Sequence, residues 1–123
     1  MEISQLIKLG SRSLKEKFIS SYQIDAELLL SKVLKRSREK ILTSLDEEVS
    51  KDTISSFNKL IDRRIKKEPI AYIFKQKEFW NRRFFVNRNT LIPRPETELL
   101  VERLLIHFKN KKLFFLDVGT GSG

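Results

Sequence analysis

Apolar residues recur at helical spacing through the first seventy or so positions, then give way to alternating, aromatic-rich segments. Over residues 2–20, Ile3, Leu6, Ile7, Leu14 and Phe18 fall on one face together with Gly10. That spacing predicts an amphipathic helix in which the glycine either weakens the helix or permits close packing. Asp25 reads as the N-cap of Ala26-Glu-Leu-Leu-Leu-Ser-Lys-Val-Leu, whose crowded leucines suggest a helix central to a bundle. Ser37 caps a short helix through Ile41 and Leu42. Ser50 or Asp52 opens a longer one in which Ile54, Phe57, Ile61 and Ile65 form a stripe. Pro69 ends that helix or begins the short segment Ile70-Ala-Tyr-Ile-Phe. The connections are short, so residues 1–74 are predicted to be a helical bundle.

After Lys75 the pattern changes. Glu78-Phe-Trp-Asn-Arg-Arg-Phe-Phe-Val predicts two strands around a turn at Asn81-Arg82-Arg83, and residues 75–90 read as a β-hairpin linker. Next comes Leu91-Ile-Pro-Arg-Pro-Glu-Thr-Glu. Pro93 and Pro95 force Ile92 to Arg94 to be extended, and Pro95 suits the first position of a helix with Glu96 and Glu98 in its first turn. Leu100, Val101, Leu104, Leu105 and Phe108 supply that helix's expected buried face, and His107 near its end reads as a surface residue. The run Leu113-Phe-Phe-Leu-Asp-Val then predicts a buried strand of a parallel sheet. Gly119, Gly121 and Gly123 suit a strand-to-helix turn where a ligand comes close to the backbone, with Asp117 at the carboxyl end of the strand. Residues 91–123 are thus read as the start of an α/β domain. Isolated from a sheet, residues beyond about 109 are expected to be disordered or paired with another copy.

Composition narrows the setting. With 40% hydrophobic and 33% charged residues the chain has a modest core and a water-compatible surface. There is no cysteine, so disulfides and thiolate metal sites are excluded. The start lacks a basic segment followed by an apolar run, and no stretch reaches the ~20 apolar residues of a membrane helix. A cytoplasmic address without membrane or metal partners is therefore expected. The net charge of +9 leans toward anionic partners. It is concentrated between Arg63 and Arg88, where nine cations face only Glu68 and Glu78. Two readings stay open for that segment: a solvated face whose cations complement a helix C-terminus, or a surface that works beside RNA or the ribosome.

The glycine loop has the spacing G-x-G-x-G rather than the dinucleotide G-x-G-x-x-G. It is similar to the first motif of S-adenosylmethionine-dependent methyltransferases; a dinucleotide ligand and a ligand-free tight turn remain alternatives. Five stretches, in order, resemble the HemK/PrmC-type protein-(glutamine-N5) methyltransferases: Asp25-Ala-Glu-Leu-Leu-Leu, Glu68-Pro-Ile-Ala-Tyr, Glu78-Phe-Trp, Leu91-Ile-Pro-Arg-Pro-Glu-Thr-Glu and Leu116-Asp-Val-Gly-Thr-Gly-Ser-Gly. The proline-arginine-proline-glutamate segment is the most specific of them. The resemblance implies a helical N-terminal domain that helps dock the protein substrate, a hairpin linker and a Rossmann-like catalytic domain. It implies methylation of the glutamine side-chain amide in the Gly-Gly-Gln motif of class-one peptide chain release factors. Asp117, Gly119, Thr120, Gly121, Ser122 and Gly123 match the family's S-adenosyl-L-methionine loop. Leu91, Pro93, Arg94, Pro95 and Glu96 match a stretch bordering its cavity, as wall or positioning residues or as a structural staple. The family's Asn-Pro-Pro-Tyr motif does not occur in these 123 residues, so no catalytic residue is assigned and the chain by itself is expected to be inactive. The alternative function is a helical module that docks RNA, the ribosome or a protein.

Overall fold

The computed structural model describes residues 1–123, and the chain divides into two units, Met1–Ile73 and Phe74–Gly123. The first is helical: α1 (Ile3–Glu16), α2 (Tyr22–Leu34), α3 (Arg38–Leu42) and α4 (Lys51–Ile65), followed by the short α5 (Ile70–Phe74) that reaches the boundary.

The apolar stripe of α1 is buried as its spacing requires, through Ile3, Leu6, Ile7, Gly10 and Leu14. A capping box closes its start: the Glu2 backbone N–H donates to the Gln5 side chain at 3.1 Å, and Glu2 in return accepts from the Gln5 backbone. Two more first-turn donors, the N–H groups of Ile3 and Ser4, reach the carbonyls of Glu47 and Leu45 at 3.0 Å each. The α3–α4 connection is thereby pinned to the start of α1.

Leu29, Leu30 and Ala26 of α2, Ile41 of α3 and Phe57 of α4 complete a core in which each is fully buried. Phe57 is its largest member. A Cβ on Gly10 would lie 2.5 Å from Cζ of the Phe57 ring and 3.1 Å from Cδ1 of Ile61. Gly10 is therefore what lets α4 approach α1, and the close-packing reading of this glycine is the correct one.

Two local expectations are revised, and the caps of α3 and α4 are located. Helix α2 begins at Tyr22 behind Ser21, not at Ala26 behind Asp25. The Asp25 N–H already bonds the Ser21 carbonyl at 2.9 Å, and its side chain turns inward, 5% exposed. Phe18 does not join the buried face of α1. The helix stops at Glu16, Phe18 takes φ +61°, and Ile19 is buried instead. Of the two caps proposed for α4, Ser50 acts, accepting from the Thr53 N–H at 3.1 Å. Ser37 caps α3 by accepting from the Lys40 N–H at 3.2 Å.

In the second unit, β1 (Gln76–Phe79) and β2 (Arg82–Phe85) form a two-stranded antiparallel hairpin in which Phe79 pairs with Arg82. The turn is Trp80-Asn81, at φ +50° and +56°, one residue earlier than the predicted Asn81-Arg82-Arg83. Two positive φ values in a two-residue connection match the twist of the flanking strands, and this register lets Phe79 meet Phe84 edge-on at 6.1 Å. Glu98 steadies the turn by accepting the Trp80 N–H at 2.8 Å.

Arg94 is extended (φ −95°, ψ 141°), and Pro95 opens a 3-10 turn, Pro95–Thr97, that runs into α6 (Glu98–Phe108). The apolar face expected of α6 is not buried: Leu100 is 59% exposed and Leu105 45%. Nor does Leu113–Val118 form a strand. Both departures have one cause. The only sheet is the hairpin, so that run has no neighbouring backbone to pair with and α6 has no layer to cover.

Candidate functional site

The second unit brings two of the sequence-derived segments around one cavity. Leu91, Pro93 and Arg94 come from the extended stretch before Pro95, and Asp117 with Gly119, Thr120, Gly121, Ser122 and Gly123 comes from the C-terminal loop. They line a cavity of about 630 Å³ whose apolar wall includes Phe79, Phe84 and Leu100. Pro95 and Glu96 are not among its lining residues. They form the start of the 3-10 turn.

The loop's geometry follows from its glycines. Gly119, Gly121 and Gly123 adopt φ of +76°, +61° and +90°, which side chains with a Cβ rarely take. A Cβ on any of them would meet nothing within 4 Å. Their requirement is therefore conformational, and the backbone stays open on that side. The turn closes through the Gly123 N–H, which donates to the Thr120 carbonyl at 3.1 Å.

Arg94 and Asp117 are the only charged residues lining the cavity, one of each sign. An apolar hollow of this size with two opposed charges and a bare glycine backbone suits a small molecule with an apolar body and polar ends. No three His, Cys, Asp or Glu side chains gather to hold a metal. His107 is exposed on α6, its ring tilted against Phe108, and takes no part in the cavity.

The first unit holds a polar cluster that the spacing rules missed. Arg64 donates to Asp25 at 2.8 Å and to the Glu68 carbonyl at 3.2 Å, while Ser21 donates to the same Asp25 oxygen at 2.9 Å. Arg63 grips Glu68 with two bonds of 2.8 and 2.7 Å. Beside them the buried Glu27 accepts from Arg38 at 2.6 Å and from Gln23 at 2.7 Å. Arg63 and Arg64 are therefore both paired, Arg64 the more buried of the two, and they are not free cations at the end of α4. The available clue was an acid at positions 25 and 27 inside a run of buried apolar residues, where a carboxylate requires a partner.

Arg63's hydrogen bonds hold the Glu68 carboxyl below its ordinary 4.5, and Arg36 does the same to Glu47 through bonds of 2.6 and 2.8 Å. A carboxyl lowered in the folded state adds stability that is full above its unfolded value and fades as pH falls through the folded one. Both groups are largely solvated, so the effect is small. The expected result is that Glu68→Gln lowers the thermal midpoint of helical circular dichroism slightly at neutral pH, and that the gap closes well below pH 4.5. A gap that persists unchanged in acid would count against this account.

Comparison with known proteins gives consistent findings. Residues 5–74 match the family described as the PrmC N-terminal domain. The whole chain is 45% identical to a release factor glutamine methyltransferase of Buchnera aphidicola subsp. Baizongia pistaciae, covering 44% of that protein. It is 42% identical to one from Aliivibrio fischeri, covering 43%. Over 81% of its length it is 45% identical to a bifunctional methyltransferase of Rickettsia felis, of which the match spans 19%. The chain thus spans less than half the length of the relatives it matches.

Proposed function

The chain belongs to the PrmC-type release factor glutamine methyltransferase family, and from that premise we propose that it serves as the N-terminal part of an S-adenosyl-L-methionine-dependent methyltransferase. Its target is the glutamine side-chain amide of the Gly-Gly-Gln motif in class-one peptide chain release factors. Residues 1–74 act as the helical domain that helps dock the protein substrate, residues 75–90 as the hairpin linker, and residues 91–123 as the start of a Rossmann-like catalytic domain.

The observation that carries this reading is the shared cavity: the stretch Leu91 to Arg94 and the glycine loop, separated in sequence by α6, line one hollow. Its residues fit the cofactor. Gly119 and Gly121 leave the backbone bare, Asp117 offers an acceptor for hydrogen-bond donors, Arg94 offers a cation, and Leu91 and Pro93 supply apolar wall. When bound, the cofactor supplies an electrophilic methyl group on a sulfonium. An amide nitrogen is a poor nucleophile, because its lone pair is delocalised into the carbonyl. The protein's task is to align that nitrogen with the methyl group and to exclude water. The groups that clamp the amide in this family, Asn-Pro-Pro-Tyr, are absent from the 123 residues, so the chain alone is expected to bind without turning over.

The deciding experiment uses the complete gene product with labelled cofactor and a class-one release factor, followed by mass spectrometry of the Gly-Gly-Gln peptide. No label on that glutamine overturns the proposal. In a cofactor-binding titration of the same gene product Gly121→Val is expected to weaken binding roughly 5- to 150-fold, because a branched side chain at positive φ costs about 1–3 kcal/mol. Unchanged affinity would remove the loop from the cofactor site.

A further inference from the structure

We infer that the end of the helical unit where α1 and α4 terminate together is a binding site for a single-stranded nucleic acid, with Phe18 as the stacking platform and Lys15, Lys17, Lys66 and Lys67 as phosphate contacts. The inference is independent of the methyltransfer reading, and either can fail without the other.

The helix end that carries Phe18 is built for a different residue. The Phe18 N–H donates to the Lys15 carbonyl at 3.0 Å and the Ile19 N–H to the Leu14 carbonyl at 3.2 Å, the paired bonds of a Schellman cap. In that cap the left-handed position is usually glycine, since a Cβ is penalised there. Here it is a phenylalanine at φ +61°, and its side chain is 93% exposed. Ile19 makes the buried contact for the cap, so the Phe18 ring gives the fold nothing in return for the strained backbone. A strained residue that presents an aromatic ring to water points to something outside the fold.

What surrounds the ring indicates the partner. The Lys67 ammonium donates to the Lys17 carbonyl at 2.5 Å, which ties the end of α4 to the end of α1. Lys15 lies over the Tyr22 ring at 5.5 Å. Lys15, Lys17, Lys66 and Lys67 are all exposed, and none enters an ion pair, whereas Arg63 and Arg64 close by are neutralised by Glu68 and Asp25. Glu16, the nearest acid in sequence to Phe18, is engaged by Arg12. Two helix C-termini with negative dipole ends explain some of these lysines, but not the ring among them. A protein interface centres on a contiguous apolar patch with charges at its rim. An exposed ring next to exposed lysines at one end of the helices is instead the arrangement that stacks a base while the charges follow the phosphates. The unit nearly coincides with the residues that match the family domain, 5–74.

The test is fluorescence anisotropy of the full chain with a labelled oligouridylate of about twelve nucleotides, within the range of single-strand site sizes. Binding should weaken steeply between about 50 and 200 mM salt. Phe18→Ala is expected to weaken it roughly 5- to 100-fold. Phe18→Gly should weaken it equally without lowering the thermal midpoint, since glycine is the preferred residue at that cap. Lys17→Gln combined with Lys66→Gln should make the log–log salt slope shallower by about 1.4. Three outcomes overturn the inference: no salt-dependent binding, Phe18 variants that bind as the parent does, or tighter capture by poly-glutamate with the same Phe18 dependence. The last would make the partner an acidic protein.

Discussion

Phe57→Ala is expected to destabilise the helical unit by about 3–5 kcal/mol, close to the whole stability of many small domains. Phe57 is fully buried, and its ring tip would lie 2.5 Å from a Cβ on Gly10. The ring thus fills the space that a glycine on α1 leaves open, and truncation removes the contact on both sides at once. Nothing nearby can close the gap cheaply, because the Gly10 face has no side chain to swing inward. Urea unfolding followed by helical circular dichroism measures the loss, and a cost below about 1.5 kcal/mol would show that the core does not hinge on this ring. A second arm separates cavity from close approach. Gly10→Ala alone overpacks against the ring and should cost about 1–3 kcal/mol, less what alanine's better helix propensity returns. In the Phe57→Ala background the same change meets an empty space and should stabilise. The two substitutions are therefore strongly non-additive, and additivity would contradict the packing described.

Where local pattern and environment agree, the sequence was sufficient. The stripe of Ile3, Leu6, Ile7 and Leu14 predicts both the helix and its buried face, and Ser37 and Ser50 predict their own caps. The misreadings occur where a residue answers to something distant. Asp25 has the local character of a cap, yet Arg64, 39 positions away, turns it into a buried partner. Phe18 continues the apolar period of α1, but the helix has already ended and the burial passes to Ile19. At the hairpin, Asn81 and the arginines are ordinary turn residues, and strand pairing shifts the turn onto Trp80, which Glu98 holds from beyond the strands. The candidate site divides in the same way. Glycine at 119, 121 and 123 is legible as a need for positive φ, and the structure has that φ at all three. That Leu91, Pro93 and Arg94 lie across the same cavity depends on the path of the chain through α6, which periodicity does not encode.

The Asp25–Arg64 pair carries the second large expected effect. Asp25→Ala should cost about 3 kcal/mol, at the low end for breaking a buried ion pair. The Arg64 side chain is 17% exposed and the Asp25 side chain 7%, so the orphaned guanidinium regains some water while keeping its bond to the Glu68 carbonyl. Most of that loss comes from leaving a charge without a partner, not from the worth of the pair itself. Removing both charges therefore tests the cause. Asp25→Leu with Arg64→Met replaces the pair by apolar side chains of similar bulk and is expected to recover most of the stability lost by Asp25→Ala. The same urea midpoint reads both variants. A double variant as unstable as the single one would mean that the pair's own hydrogen bonds, including the one from Ser21, hold α2 against α4. Recovery would mean that the Asp25–Arg64 pair adds little to how strongly α2 and α4 hold, and that its cost when broken is that of a charge left alone.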